Sequence, residues 1–294
     1  MRIIGIIAEY NPFHNGHAYQ IEKIRSLTQA DFVIAAMSGN FVQRGEPALI
    51  DKYARTEMAL SCGADLVIEL PALWATASAE LFASAGVALM RKCGCVDTLC
   101  FGAETDNLSL LKEVASLLVS EPEDYKEVLS SCLKKGMSYP AARSQAVCSY
   151  LKKANQQIPA DELACLLNEP NNILAIEYIK ALYKLNSNIE PILIKRYESE
   201  HNDTVIHGEI ASASAIRNIL NTHGSNMIKA VPENCISLYK NSSLHRIEKL
   251  DTAIISNIIK SDINAIRNTP DVSEGLENKI KKSAFSSKNF SELC

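Results

Sequence analysis

The sequence predicts an α/β fold, a doubly wound parallel sheet with helical additions in its C-terminal half. Two observations carry that expectation. The stretches "RIIGIIA" (2–8), "DFVIAAM" (31–37), "DLVIEL" (65–70) and "DTLCFG" (97–102) are short apolar runs without polar alternation. Strands buried on both faces of a parallel sheet read this way. Between them lie helical patterns, "GHAYQIEKIRSLTQ", "LIDKYARTEMALSCG" and "SAELFASAGVALMRKCG", and the last two close on glycine, a common helix C-cap. Strand and helix alternating at this spacing build a doubly wound sheet.

From about residue 106 the pattern turns helical, through "NLSLLKEVASLLV", "DYKEVLSSCLKKG" and "YPAARSQAVCSYLKKA". The helix "NNILAIEYIKALYKL" then precedes a fifth predicted strand, "EPILIKR" (190–196). A polar loop leads into "IASASAIRNILN", and beyond about 225 the chain reads as helical but weakly patterned.

The chain of 294 residues is 47% hydrophobic and 22% charged, ordinary globular material. A net charge of −4 gives no global nucleic-acid signature, so any RNA contact has to be a local patch. No run approaches the roughly 18 apolar residues of a membrane span, and the N-terminus starts a strand without a signal-peptide layout. Nine cysteines, an odd number lying mostly in apolar stretches, fit reduced thiols and a cytoplasmic location better than a disulfide framework. Cys93, Cys95 and Cys100 form CxC-x4-C, which reads as a helix end and a buried strand rather than a metal site.

The chemistry concentrates in "EYNPFHNGHAYQ", directly after the first strand. His14 and His17 stand too close for two ligands on one helix face, so their role lies in the turn. In a parallel sheet, ligands bind beyond the carboxyl ends of the strands. The N-terminus of the next helix offers free N–H groups and a positive dipole end. Gly16 lets backbone approach a ligand, and the two histidines can donate hydrogen bonds to phosphate oxygens.

"NPFHNGH" resembles the HxGH signature of the nucleotidylyltransferase superfamily. Together with "MSGNFVQRGEPALIDKYAR", "ADLVIELP", "FGAE", "EPNNILAIEYIKAL" and "IKR", the chain resembles the bacterial tRNA(Met) cytidine acetate ligase family over nearly its whole length. That resemblance implies a Rossmann-like catalytic domain over 1–225 with a helical insertion at about 106–170, then a helical C-terminal region over 226–294. It implies an enzyme that activates acetate with ATP, giving acetyl-adenylate and pyrophosphate. The acetyl group then passes to N4 of the wobble cytidine of elongator tRNA(Met). The family's nucleotide-binding stretch falls on Ile7, Ala8, Glu9, Tyr10, Asn11, Pro12, Phe13, His14, Asn15, Gly16, His17, Ala18, Tyr19 and Gln20. Its isolated glycine, asparagine and arginine match Gly102, Asn171 and Arg196. His14 and His17 take the catalytic roles, and no protein metal ligand is expected, Mg²⁺ being carried by ATP phosphates and water.

Each carried position also has a physical reading. Gly102 ends the fourth strand, where a missing Cβ leaves room for adenine or ribose, or simply makes a turn. Asn171 follows Pro170 at a helix start, where an N-cap is the alternative. Arg196 suits phosphate, or a surface ion pair with Glu198 or Glu200. In "SASAIR", Ser212 and Ser214 suit helix capping and Arg217 suits phosphate. "GNFVQRGEPALIDKYAR" reads as a loop over the site, with Gln43, Arg44 and Lys52 as candidate acetate or RNA contacts, or as a solvated connection. Lys279, Lys281 and Lys282 read as a solvated basic helix face. Family members continue beyond the position of Cys294 through a helical, basic segment, so adenylate formation is expected to tolerate that segment's absence better than transfer to tRNA. Two alternatives fit the N-terminal motif alone: an adenylyltransferase acting on a phosphorylated coenzyme precursor, and a non-catalytic nucleotide- or RNA-binding relative.

Overall fold

The structure, a computed structural model, describes residues 1–43, 45–154, 163, 166–196, 213–217, 230–270 and 272–293. Five strands, β1 (Ile3–Ala8), β2 (Phe32–Ser38), β3 (Leu66–Leu70), β4 (Thr98–Ala103) and β5 (Glu190–Lys195), form one sheet in the order β3-β2-β1-β4-β5. Every pairing is parallel, with Ile4 opposite Val33 on one side of β1 and opposite Thr98 on the other. Arg196, read from sequence as the last strand residue, lies just beyond β5, although its N–H still donates to Ala103 O at 2.9 Å.

The absence of alternation in the strand sequences follows from burial on both faces. Successive side chains of a strand point to opposite faces, so a sheet covered twice needs apolar residues at every position. Ile3 and Ile7 of β1 join a core with Ile34, Ala36, Leu99 and Phe101, whereas Ile4 and Ile6 join another with Val33, Ala35, Met37 and Cys100. Helices α1 (Asn15–Thr28) and α2 (Lys52–Ser61) cover the second face through Ile21, Ile24, Met58 and Ala59.

The first face is covered by four longer helices besides the short α3 (Ala72–Ala75): α4 (Ala79–Cys93), α5 (Leu108–Ser120), α7 (Tyr139–Ala154) and α8 (Pro170–Lys184). Helix α6 (Glu123–Lys134) adds Tyr125 to the same core, so the helices after residue 106 extend the sheet's own apolar layer. A buried carboxylate, Glu177, bonds Arg143 at 2.6 Å and Lys180 at 2.6 Å, joining α7 to α8.

The C-terminal segment returns to the second face. Cys235 is fully buried there, with Leu238, Tyr239 and Leu244 packed around it. Further on, the helices Asp251–Lys260 and Leu276–Ser286 pack on each other. Lys281, expected in a solvated basic cluster, instead donates to the carbonyls of Ile258, Ile259 and Ser261 and so closes the preceding helix. Among the described residues, Cys62, Cys93, Cys95, Cys100, Cys132, Cys148 and Cys235 are free thiols, no helix is long and apolar enough to cross a membrane, and no group of three potential metal ligands occurs.

Candidate active site

The chain leaves β1 toward β2 and β3 on one side, then crosses to β4 on the other. That reversal falls between β1 and β4, and beyond the carboxyl ends of strands at such a point doubly wound sheets take their ligands. The β1–α1 turn sits at this edge, and its two histidines are built into the start of the helix. His14 is the N-cap of α1, and its Nδ1 accepts the N–H of Gly16 at 3.1 Å. The Nδ1 of His17 accepts the N–H of His14 at 3.3 Å. This is a capping box made from two imidazoles, each satisfying a backbone donor at the helix start. The i,i+3 spacing is not too short for one helix face, since it sets the two rings side by side on the first turn, and it is the spacing such a box requires.

The box also determines chemistry. A ring nitrogen that accepts a backbone N–H carries no proton, so each neutral ring holds its proton on Nε2. The rings stack with centroids 3.8 Å apart, and Tyr10 and Phe13 pack against His17 at 4.9 and 5.5 Å. Burial, with the charges of Arg196 and Arg217, lowers the pKa of His14 to about 3. Burial, then His14 and Arg196, holds His17 well below its ordinary value. Both are therefore neutral at pH 7, a stacked pair of Nε2–H donors at the positive end of α1.

Two arginines approach this pair. Arg217, at the end of "SASAIR", donates to Asn11 O at 2.7 Å and to the Ser214 hydroxyl at 2.9 Å, bringing that motif onto the β1–α1 turn. Ser212 and Arg44 lie outside the described residues. Arg196 enters from the end of β5. A Cβ on Gly102 would stand 3.1 Å from its Cγ and 3.5 Å from its Cδ, so the bare glycine accommodates the arginine stem. Burial lowers the Arg196 pKa, and the negative charge of Glu104 opposes that shift.

Asn171 is not the cap of α8. The N-cap is Glu169, whose side chain makes no capping bond, and Pro170 occupies the first turn. Asn171 instead donates through Nδ2 to Glu104 Oε1 at 2.6 Å.

The rest of the turn is braced from outside. Asn11 Oδ1 accepts the N–H of Leu49 at 2.8 Å, and Glu9 Oε1 accepts that of Gln43 at 2.7 Å. Phe41 and Pro47 form an antiparallel bridge and Ala48, Leu49 and Ile50 are buried, so the segment read as a loop is held firmly beside the turn. Lys52 pairs with Glu69 at 2.6 Å, and that bond raises its pKa. Arg55, fully buried, donates to the carbonyls of Glu9 (2.6 Å), Ser38 (3.0 Å), Ile50 (3.0 Å) and Gly39. Tyr239 donates to Phe13 O, Asn15 N–H donates to Ala230 O at 3.0 Å, and His245 N–H donates to Leu49 O at 2.8 Å.

A family model described as HIGH Nucleotidyl Transferase matches residues 1–294. A tRNA(Met) cytidine acetate ligase of Clostridium perfringens is 44% identical over 295 residues, spanning 100% of this chain and 73% of the relative. Another, from Acetivibrio thermocellus, is 44% identical over 303 residues, spanning 100% and 72%. The chain belongs to the tRNA(Met) cytidine acetate ligase family. The crystal structure of Thermotoga maritima TmcAL bound with alpha-thio ATP aligns with a TM-score of 0.89 at 34% identity, covering 100% of this chain and 69% of that one. Its apo form aligns at 0.92 and 35% identity.

The structure brings His14, His17, Asn11, Gly102 and Arg196 to one edge of the sheet, with Asn171 reaching it through Glu104. Sequence reading missed Arg55, Glu104, Asn172 and Tyr239. Glu104 stands in the quoted "FGAE", two residues after Gly102, so position alone marked it. Arg55 carried no such signal, being one charged residue in an amphipathic helix.

Proposed function

We propose that this chain is an ATP-dependent ligase that joins acetate to AMP and passes the acetyl group to N4 of the wobble cytidine of elongator tRNA(Met). In the first step an acetate oxygen attacks the α-phosphorus of ATP in line, the P–O bond to pyrophosphate breaks, and acetyl-adenylate and pyrophosphate result. In the second, the cytidine amine attacks the acetyl carbonyl, AMP departs, and the amine proton is lost to solvent.

The observation that carries this reading is the neutral histidine pair. The capping box fixes both tautomers and leaves two Nε2–H donors at the start of α1, which supports their donating to the oxygens of the phosphorus under attack, and preorganised donors of this kind are the larger part of such catalysis. Neutral imidazoles donate without the desolvation cost of burying a third and a fourth cation beside Arg196 and Arg217. Arg196 and Arg217 add charge-assisted contacts to phosphate. Asn171 and Gly102 belong to the nucleotide's surroundings, Gly102 through the arginine that rests on it. Mg²⁺ travels with the triphosphate, whose oxygens and water suit a small hard cation, and no protein ligand is assigned to it. The second step needs no protein nucleophile, because the carbonyl is already activated and positioning supplies the rate.

The test is acetate-dependent exchange of labelled pyrophosphate into ATP, followed by detection of N4-acetylcytidine in tRNA(Met). Exchange that does not depend on acetate overturns the reading.

A further inference from the structure

The junction between β4 and α8 is more elaborate than holding a helix requires. Helix α8 begins without a side-chain cap of its own, since Glu169 provides none. Glu104, beyond the end of β4, fills that vacancy, its Oε2 accepting the N–H of Asn172 at 2.9 Å. Asn172, buried at 1% exposure, answers with its Oδ1, which accepts the N–H groups of Glu104 (3.0 Å) and Thr105 (3.1 Å). Those three bonds lock strand end to helix start, and a carboxylate there also suits the positive end of the helix.

The fourth bond does something different. The other carboxylate oxygen, Oε1, accepts Nδ2 of Asn171 at 2.6 Å. An ionised carboxylate only accepts, so this contact fixes which end of the Asn171 amide faces Glu104. The same carboxylate is the charge that opposes the burial of Arg196.

We propose that Glu104 is a positioning residue for ATP, holding the Asn171 amide in one orientation while anchoring the first turn of α8 against β4. The inference rests on the ligase reading above. Glu104→Gln is the sharp test, because glutamine presents one acceptor and one donor to two donors. The backbone N–H of Asn172 cannot turn away and keeps the acceptor. The Asn171 amide must then rotate or withdraw.

The experiment is acetate-dependent pyrophosphate exchange with Glu104→Gln, Asn171→Ala and the double variant, alongside melting temperatures. Glu104→Gln should raise KM for ATP about tenfold, the scale of a lost charge-assisted contact, with kcat within about threefold of wild type. The double variant should be no worse in KM than Asn171→Ala alone, because the effect runs through that side chain. An unchanged KM in Glu104→Gln, or KM effects that multiply in the double variant, overturns the role. Should Glu104→Gln melt far below wild type, Glu104→Asp, which keeps the charge but shortens the reach, is read the same way. Absence of acetate-dependent exchange in wild type instead overturns the ligase reading itself.

Discussion

Gly102→Val tests whether the nucleotide site depends on where Arg196 lies. A Cβ at Gly102 falls 3.1 Å from Cγ and 3.5 Å from Cδ of Arg196, against the 3.5–4.0 Å of ordinary carbon contacts. Valine adds two further carbons, so the arginine stem must leave its present course. Losing the proposed charge-assisted bond from Arg196 to phosphate would cost about 1.5–3 kcal/mol, or roughly 10- to 150-fold in Kd. At an ATP concentration about 100 times the wild-type Kd, the wild type gains about 2.7 kcal/mol. A variant bound a hundredfold more weakly gains only about 0.4 kcal/mol under the same conditions. At about 2–4 °C per kcal/mol for a chain of this size class, a shift of several degrees shrinks to about one. The assay is thermal melting with and without ATP, supported by calorimetric titration. Strand residues tolerate β-branching, so the variant without ATP should melt close to wild type. A full ATP shift in Gly102→Val refutes the reasoning, and a large drop in the apo melting temperature makes the position structural instead.

The remaining predictions address the turn and its supports. Loss of either imidazole, as His14→Ala or His17→Ala, should lower pyrophosphate exchange roughly 100-fold or more while ATP binding weakens far less, and equal exchange rates would sink the assignment. The His14 pKa is lowered to about 3, so between about pH 3 and 6.5 the unfolded chain binds more protons and stability rises with pH. Stability is complete above about 6.5 and lost as pH falls toward 3, by on the order of 2 kcal/mol at pH 5. Urea titrations at pH 7 and 5 should show that difference diminished in His14→Gln. Arg55→Met strands three buried carbonyls and a half-buried one and should lower the unfolding free energy by at least about 3 kcal/mol, whereas a loss below about 1 kcal/mol would show that water replaces the guanidinium. Affinity for tRNA should fall steeply with salt as counterions are released, and a flat dependence argues against phosphate contacts.

What the sequence made legible were the features that repeat or that sit in one short stretch. An unalternated apolar run announces burial on both faces, and that alone placed β1 to β4. The "SASAIR" arginine was legible as a phosphate candidate, but its seat on Asn11 O depends on a chain return that no local pattern encodes. Arg55 was silent for the same reason. Its meaning lies in the convergence of four carbonyls, from Glu9, Ser38, Gly39 and Ile50, which only the packed sheet brings together. For Asn171 the sequence left capping open as the alternative, because Pro170 signals a helix start, and the structure shows that it is not the cap. The vacancy left by Glu169 is filled by Glu104, from beyond the end of β4.

The histidines show why fold and chemistry cannot be read separately at this edge. A serine and a glutamate in these two places would start α1 equally well, since a capping box asks only for acceptors at the right spacing. Imidazoles satisfy that demand with Nδ1 and keep a proton on Nε2, a donor that the capping box does not use. Burial then removes the competing cationic form, so the rings remain donors without carrying charge into a site already holding Arg196 and Arg217. The bonds that begin the helix are therefore the bonds that select the tautomer, the one the proposed mechanism uses. A serine–glutamate box would retain the helix and lose the chemistry.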